Sequence, residues 1–249
     1  MLKSRARTAA IIVLLGSSFA AMAEEGGFPL MHAGTDINNL QSLQRGARNF
    51  MNYCSGCHSL KYLRYNRMAA DLQIPEADLA ANLMFTTDKP FDTIEVAMPA
   101  ESESWFGKQP PDLSLMARAR GTDYLYSLFH GYYADKTRPW GVNNLYLPSI
   151  AMPHVLQGLQ GLQKPVFKTE EDGNGGSHLV LTGVEMMTPG SMKPEEYDEF
   201  VRDLVNFLDY AGEPVKAERQ ALGVWVMLFL LVFFAFAYLL KKEYWKDVH

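Results

Sequence analysis

NYCSGCH, residues 52–58, holds both cysteines of a 249-residue chain, and the way it is read governs everything around it. Cys54, Cys57 and His58 form the C-x-x-C-H pattern of covalent c-type haem attachment. Residues three and four apart share a helical face. Two sulfurs can therefore form thioethers to two vinyl groups while the His58 imidazole reaches the iron from the same side. Two other chemistries use part of this pattern. A thiol redox pair also needs C-x-x-C, but it prefers a βαβ context that the flanking sequence lacks. Zinc would need four ligands, and no second Cys or His pair stands at metal spacing.

Working outward, Leu40, Leu43, Ala47 and Phe50 recur at helical spacing behind capping residues in 36–39, so a helix leads directly into Tyr53 and Cys54. A second helix is expected after Pro110-Pro111-Asp112. A short third follows Thr122, carrying Leu125, Leu128 and Phe129 until Gly131 ends it. From there to Pro153 the chain is rich in Pro, Gly, Asn and aromatics and reads as packed loop. PVFKT at 165–169, the turn-rich 170–176 and HLVL at 178–181 suggest a surface β-hairpin. The clearest helix starts at Pro194, with Glu195, Glu196, Asp198 and Glu199 at its positive end. Tyr197, Phe200, Val201, Leu204, Val205, Leu208 and Ala211 give it one apolar stripe, and Gly212 with Pro214 stops it.

Both ends of the chain are apolar. Lys3, Arg5 and Arg7, the run 9–20 and Ala21-Met22-Ala23 fit a secretory signal cut after Ala23. The twenty residues 221–240 carry no charge and suffice to span a hydrocarbon core of about 30 Å, so they read as a transmembrane helix. Lys241, Lys242 and Lys246 follow at once, which places the C-terminus in the cytoplasm and exports the domain ahead of the span. The expected division is 1–23 signal, 24–215 haem domain, 216–240 linker end and membrane helix, and 241–249 cytoplasmic tail. The formal charge of −5 for the whole chain becomes −9 over residues 24–220, because six of the 23 basic residues but only two of the 28 acidic ones lie outside them. Acidity of this order argues against nucleic acid as a partner and suits a cationic one.

A haem iron held by His58 needs a sixth ligand or leaves an open position, and that choice separates an electron carrier from a haem enzyme or gas sensor. The remaining histidines read as surface or internally satisfied groups. Among thirteen methionines, Met98 and Met152 stand out because each precedes a proline, which favours extended backbone in a loop. Met187 and Met192 are weaker candidates. Met152 lies on an excursion long enough to reach the opposite haem face.

Several stretches in order resemble the cytochrome c1 family, the haem subunits of bacterial quinol cytochrome c reductases. They are 36–39, QRGA at 44–47, NYCSGCHSLKYLRYNRMA at 52–69, PPDLSLMARARGTDYLYSLFHGYY at 110–133, SIAMP at 149–153 and the single C-terminal anchor. The resemblance implies a mainly α, cytochrome c-like haem domain with long loops and a small β-hairpin, plus one C-terminal transmembrane helix. It also implies one covalently bound haem c, with Cys54 and Cys57 as thioether anchors, His58 as proximal and Met152 as distal ligand. Arg120 matches the family arginine that faces a haem propionate, and Tyr124 a tyrosine beside it. The implied partners are cytochrome b, the Rieske iron-sulfur protein and a cytochrome c acceptor, in a respiratory-chain complex that is dimeric. Such a subunit is not catalytic alone. It sits in the bacterial inner membrane with its haem domain in the periplasm.

Overall fold

The structure is a computed structural model that describes residues 27–96, 98–99, 101–171 and 177–247, so the signal segment, His249 and the hairpin turn lie outside the described residues. Helix α1 (Leu40–Tyr53) forms as its periodicity requires, and the Asn39 side chain accepts from the Ser42 N–H to cap it. Ribbon β1 (Leu60–Arg64) follows and pairs with β2 (Thr93–Ile94) across the short helices α2 (Tyr65–Asp71) and α3 (Glu76–Asn82). Next come α4 (Ser102–Phe106), α5 (Met116–Arg120) and α6 (Thr122–His130). The segment expected to be only packed loop contains a small ribbon, β3 (Tyr132–Ala134) paired with β4 (Val142–Asn144). Side-chain hydrogen bonds of Asn144 to the Leu128 carbonyl and the Tyr146 N–H hold it there, in place of any alternating pattern.

A single turn of helix, α7 (Gln157–Gln160), leads into the hairpin β5 (Gly161–Glu171) and β6 (Ser177–Pro189), longer at both ends than its apolar cores suggested. Helix α8 (Pro194–Gly212) then crosses α1 and also packs on α5 and α6. The crossing is backbone on backbone. A Cβ added to Gly46 would lie 2.0 Å from the Asp203 carbonyl oxygen. Phe50 meets Phe207 at 5.7 Å between ring centroids, and Arg45 clasps the buried Asp203 carboxylate through Nε at 2.5 Å and Nη2 at 3.0 Å. The main core, including Phe50, Met68, Leu156, Leu204 and Phe207, fills the space between these helices and the β1 region. Helix α9 (Lys216–Tyr244) begins after the three residues that follow α8, and among the described residues it is the one helix long and apolar enough to cross a membrane.

Two buried tyrosines on α8 set an alkaline limit. The Tyr210 hydroxyl donates to Asp71 at 2.7 Å and that of Tyr197 to the Phe129 carbonyl at 2.9 Å. Burial first, and then nearby acidic groups, pushes both well above the ordinary phenol range. Above about pH 10 the unfolded chain releases these protons while the folded one keeps them, so stability present below that pH is lost as it rises. Tyr210→Phe should make the alkaline limb shallower by about 1.4 kcal/mol per pH unit. An unchanged slope in denaturation curves across that range would count against it.

Candidate haem site

Helix α1 delivers its last turn into the cysteine motif without a break. The Cys54 N–H donates to the Phe50 carbonyl, and the Cys54 carbonyl accepts from both Cys57 N–H (3.0 Å) and His58 N–H (2.8 Å). That one turn has the helical i, i+3, i+4 spacing that thioether attachment plus ligation needs. His58 is buried, and its Nδ1 lies 2.7 Å from the Pro111 carbonyl oxygen, which can only accept. The ring proton therefore sits on Nδ1 and the lone pair on Nε2, the tautomer a metal ligand needs. Burial holds the His58 imidazole below its ordinary range, favouring the neutral form, against a smaller opposing pull from Pro111 and Asp112. Pro111 was visible in the sequence only as a helix start. Its role here could not be read because 53 positions separate it from His58.

The cysteines do not resemble a thiol redox pair. As a free thiol, Cys54 is pushed up to about 12 by burial and then by Cys57, and Cys57 is raised by burial as well. Dithiol catalysts depend on the opposite displacement. Among the described residues no three His, Cys, Asp or Glu side chains gather to hold a metal ion.

Arg120, at the end of α5, and Tyr124, in the first turns of α6, are brought together. The guanidinium carbon lies 4.4 Å from the Tyr124 ring centroid, and Nη2 donates to the phenol oxygen at 3.0 Å. Tyr124 borders all three hydrophobic clusters, and Met152 borders two of them. Met152 is half-buried in the loop after Ile150, its carbonyl accepting from the Tyr132 hydroxyl at 3.4 Å. The competing methionines stand differently. Met187 is 50% exposed on the hairpin, Met192 packs against the main core at the foot of α8, and Met98 is half-buried in the segment before α4.

His154 departs from the expectation of a satisfied histidine. It is buried, both ring nitrogens lack hydrogen-bond partners, and the Gln160 side chain and Gly161 backbone lie beside it without hydrogen-bond geometry. Its ring stacks flat on Tyr132, 4.4 Å between centroids and 3° between planes. The only signal for Tyr132 was its place in an aromatic stretch directly after Gly131.

A buried imidazole with a fixed tautomer, two cysteines on the same turn, a cation held on a tyrosine ring and a membrane helix define a tethered c-type cytochrome. The Cytochrome C1 family model matches residues 33–161 and 185–248, and the chain belongs to that family. Membership makes it an electron-transfer haem subunit of a bc1-type complex, with one covalently bound haem c and a membrane anchor helix. The chain is 49% identical over 237 residues to the cytochrome c1 of Allochromatium vinosum, covering 95% of this chain and 96% of that one. It is 44% identical over 240 residues to a Nitrosomonas europaea protein named ammonia monooxygenase gamma subunit, covering 96% and 97% of the two chains. A cytochrome b/c1 of Bradyrhizobium diazoefficiens is 25% identical over 257 residues, 84% of this chain but 33% of that longer one.

Proposed function

We propose that the chain receives single electrons from a Rieske iron-sulfur protein and passes them to a cytochrome c. In this reading Cys54 and Cys57 would anchor a haem through thioethers, His58 and Met152 would supply the ligands to its iron, and Arg120 with Tyr124 would meet the charge of a propionate. The observation that carries the reading is the His58 ring, buried at the end of the C-x-x-C turn with its proton committed to the Pro111 carbonyl. A haem c supplies one-electron chemistry at its iron. The remaining work belongs to the chain. The Pro111 carbonyl orients His58 and raises the basicity of Nε2. Met152 would offer a neutral thioether, a ligand that favours the ferrous state and raises the potential. Arg120, held against Tyr124, presents a fixed cation to a carboxylate.

Cytochrome b beside α9 is the natural membrane partner, and the Bradyrhizobium protein whose name joins b and c1 supports it. Within a dimeric complex the expected layout is a removed signal at 1–23 and a periplasmic haem domain at 24–215. The apolar, membrane-spanning part of α9 would end at 240 and a cytoplasmic tail would occupy 241–249, its first residues continuing the helix to Tyr244. Lys241, Lys242 and Lys246 after the apolar stretch support that orientation. The purified holo-complex provides the test. Carbon monoxide added to the reduced protein at neutral pH should leave its spectrum unchanged, because His58 and Met152 together would leave the iron no free position. Ready binding would overturn the carrier reading in favour of an enzyme or sensor with an open site.

A further inference from the structure

We propose that Tyr132 is the positioning residue that keeps Met152 seated, and that Gln163 of the hairpin holds Tyr132 in place. The inference rests on Met152 being the distal ligand. A methionine on a loop stays bound only while the loop is held, since a foreign ligand competes through whatever fraction of molecules has the loop open. The start of the loop is tied at Ser149 by Asn143 and Arg138, and around Pro153 one residue grips it twice. The Tyr132 hydroxyl donates to the Met152 carbonyl, just before Pro153, and the Tyr132 ring lies flat on His154, just after it. The proline stiffens the chain between those two points.

Tyr132 is itself immobilised. Its side chain is 1% exposed, packed in a cluster with Leu128, Val142 and Ile150, and its backbone pairs with Asn144. Its carbonyl accepts from Gln163 Nε2 at 2.8 Å, and the same amide donates to the His130 carbonyl, also at 2.8 Å. Gln163 thus ties the hairpin to the junction of α6 and β3. The foot of the hairpin is closed in turn: Gly190 N–H donates to Gln160 O, Ser191 N–H to Gly158 O and Met192 N–H to Leu159 O. Space there is minimal, because a Cβ on Gly161 would lie 2.2 Å from the Thr188 carbonyl oxygen. Residues 162–184, Gln163 among them, fall between the two segments that the family model matches. Through Gln163 the hairpin acts as a brace beside the ligand loop.

The test uses the full-length ferric holoprotein with imidazole as probe, followed in the Soret band and in the far-red band that a Met sulfur ligand gives. Tyr132→Phe removes the hydroxyl and keeps the ring. Gln163→Met keeps the length and removes the donor. Each should raise imidazole affinity by about fivefold, the population change expected for one lost hydrogen bond. Tyr133→Phe, the adjacent tyrosine on β3, should leave it unchanged. If Tyr132→Phe only lowers the melting temperature, or shifts imidazole affinity no more than Tyr133→Phe, the positioning role is wrong. Met152→Leu separates the two readings, because a far-red band that survives that change refutes the ligand assignment itself.

Discussion

Met152→Leu should lower the reduction potential by more than about 100 mV, given that the choice of axial ligand moves haem potentials over a range of about 0.8 V. Leucine fills a similar volume, so the loop and the two clusters that Met152 borders should keep their packing. The loss is chemical. Without the thioether the ferrous state loses its preferential support, and the open position should admit carbon monoxide when reduced and imidazole when oxidised. The far-red band should vanish, while covalent attachment through Cys54 and Cys57 persists in a haem stain of the denatured chain. Met98→Leu should change none of these. A potential that fell with Met98→Leu and held with Met152→Leu would move the distal ligand to the segment before α4.

Gly46→Ala should destabilise the haem domain by about 3 kcal/mol, which for a domain of this size lowers the melting temperature by about 6–12 °C. The added methyl would meet Asp203 O at 2.0 Å and the Phe207 Cβ at 2.7 Å. Neither is the free end of a side chain, so α1 and α8 must move apart. That movement also strains the Arg45–Asp203 pair, which bridges the same two helices. Gly183→Ala is the matching control, with nothing within 4 Å of its Cβ position, and should change stability by less than about 0.5 kcal/mol. Equal melting temperatures for the two variants would mean that the helices yield at no cost.

These two helices were the most legible part of the sequence, since both carry a single apolar stripe and recognisable end signals such as Asn39 and Pro194. The hairpin was legible in kind but not in length. Gly183 and the exposed Met186 and Met187 interrupt the alternation that marks a strand, although the backbone pairing continues past them. The β3–β4 ribbon left no pattern because three residues a side are too few for periodicity, and Asn144 supplies the organisation through its amide. Helices α2 and α3, seven residues each, were likewise too short to declare themselves. In the site, the residues proposed as ligands and anchors are marked by local spacing or by resemblance. Their supports are not. Pro111 reaches His58, and Tyr132 reaches Met152, across distances in sequence that only the folded chain closes.

The three residues between α8 and α9 limit what this protein can do as a carrier. A fully extended leash of that length reaches about 10 Å, and ion pairs of Lys216 with Asp209 and Arg219 with Glu213 fasten the first turns of the membrane helix to the end of α8. The haem domain is then tethered on a short leash to its membrane helix. A gap wider than that reach would have to be crossed by whatever delivers or collects the electron.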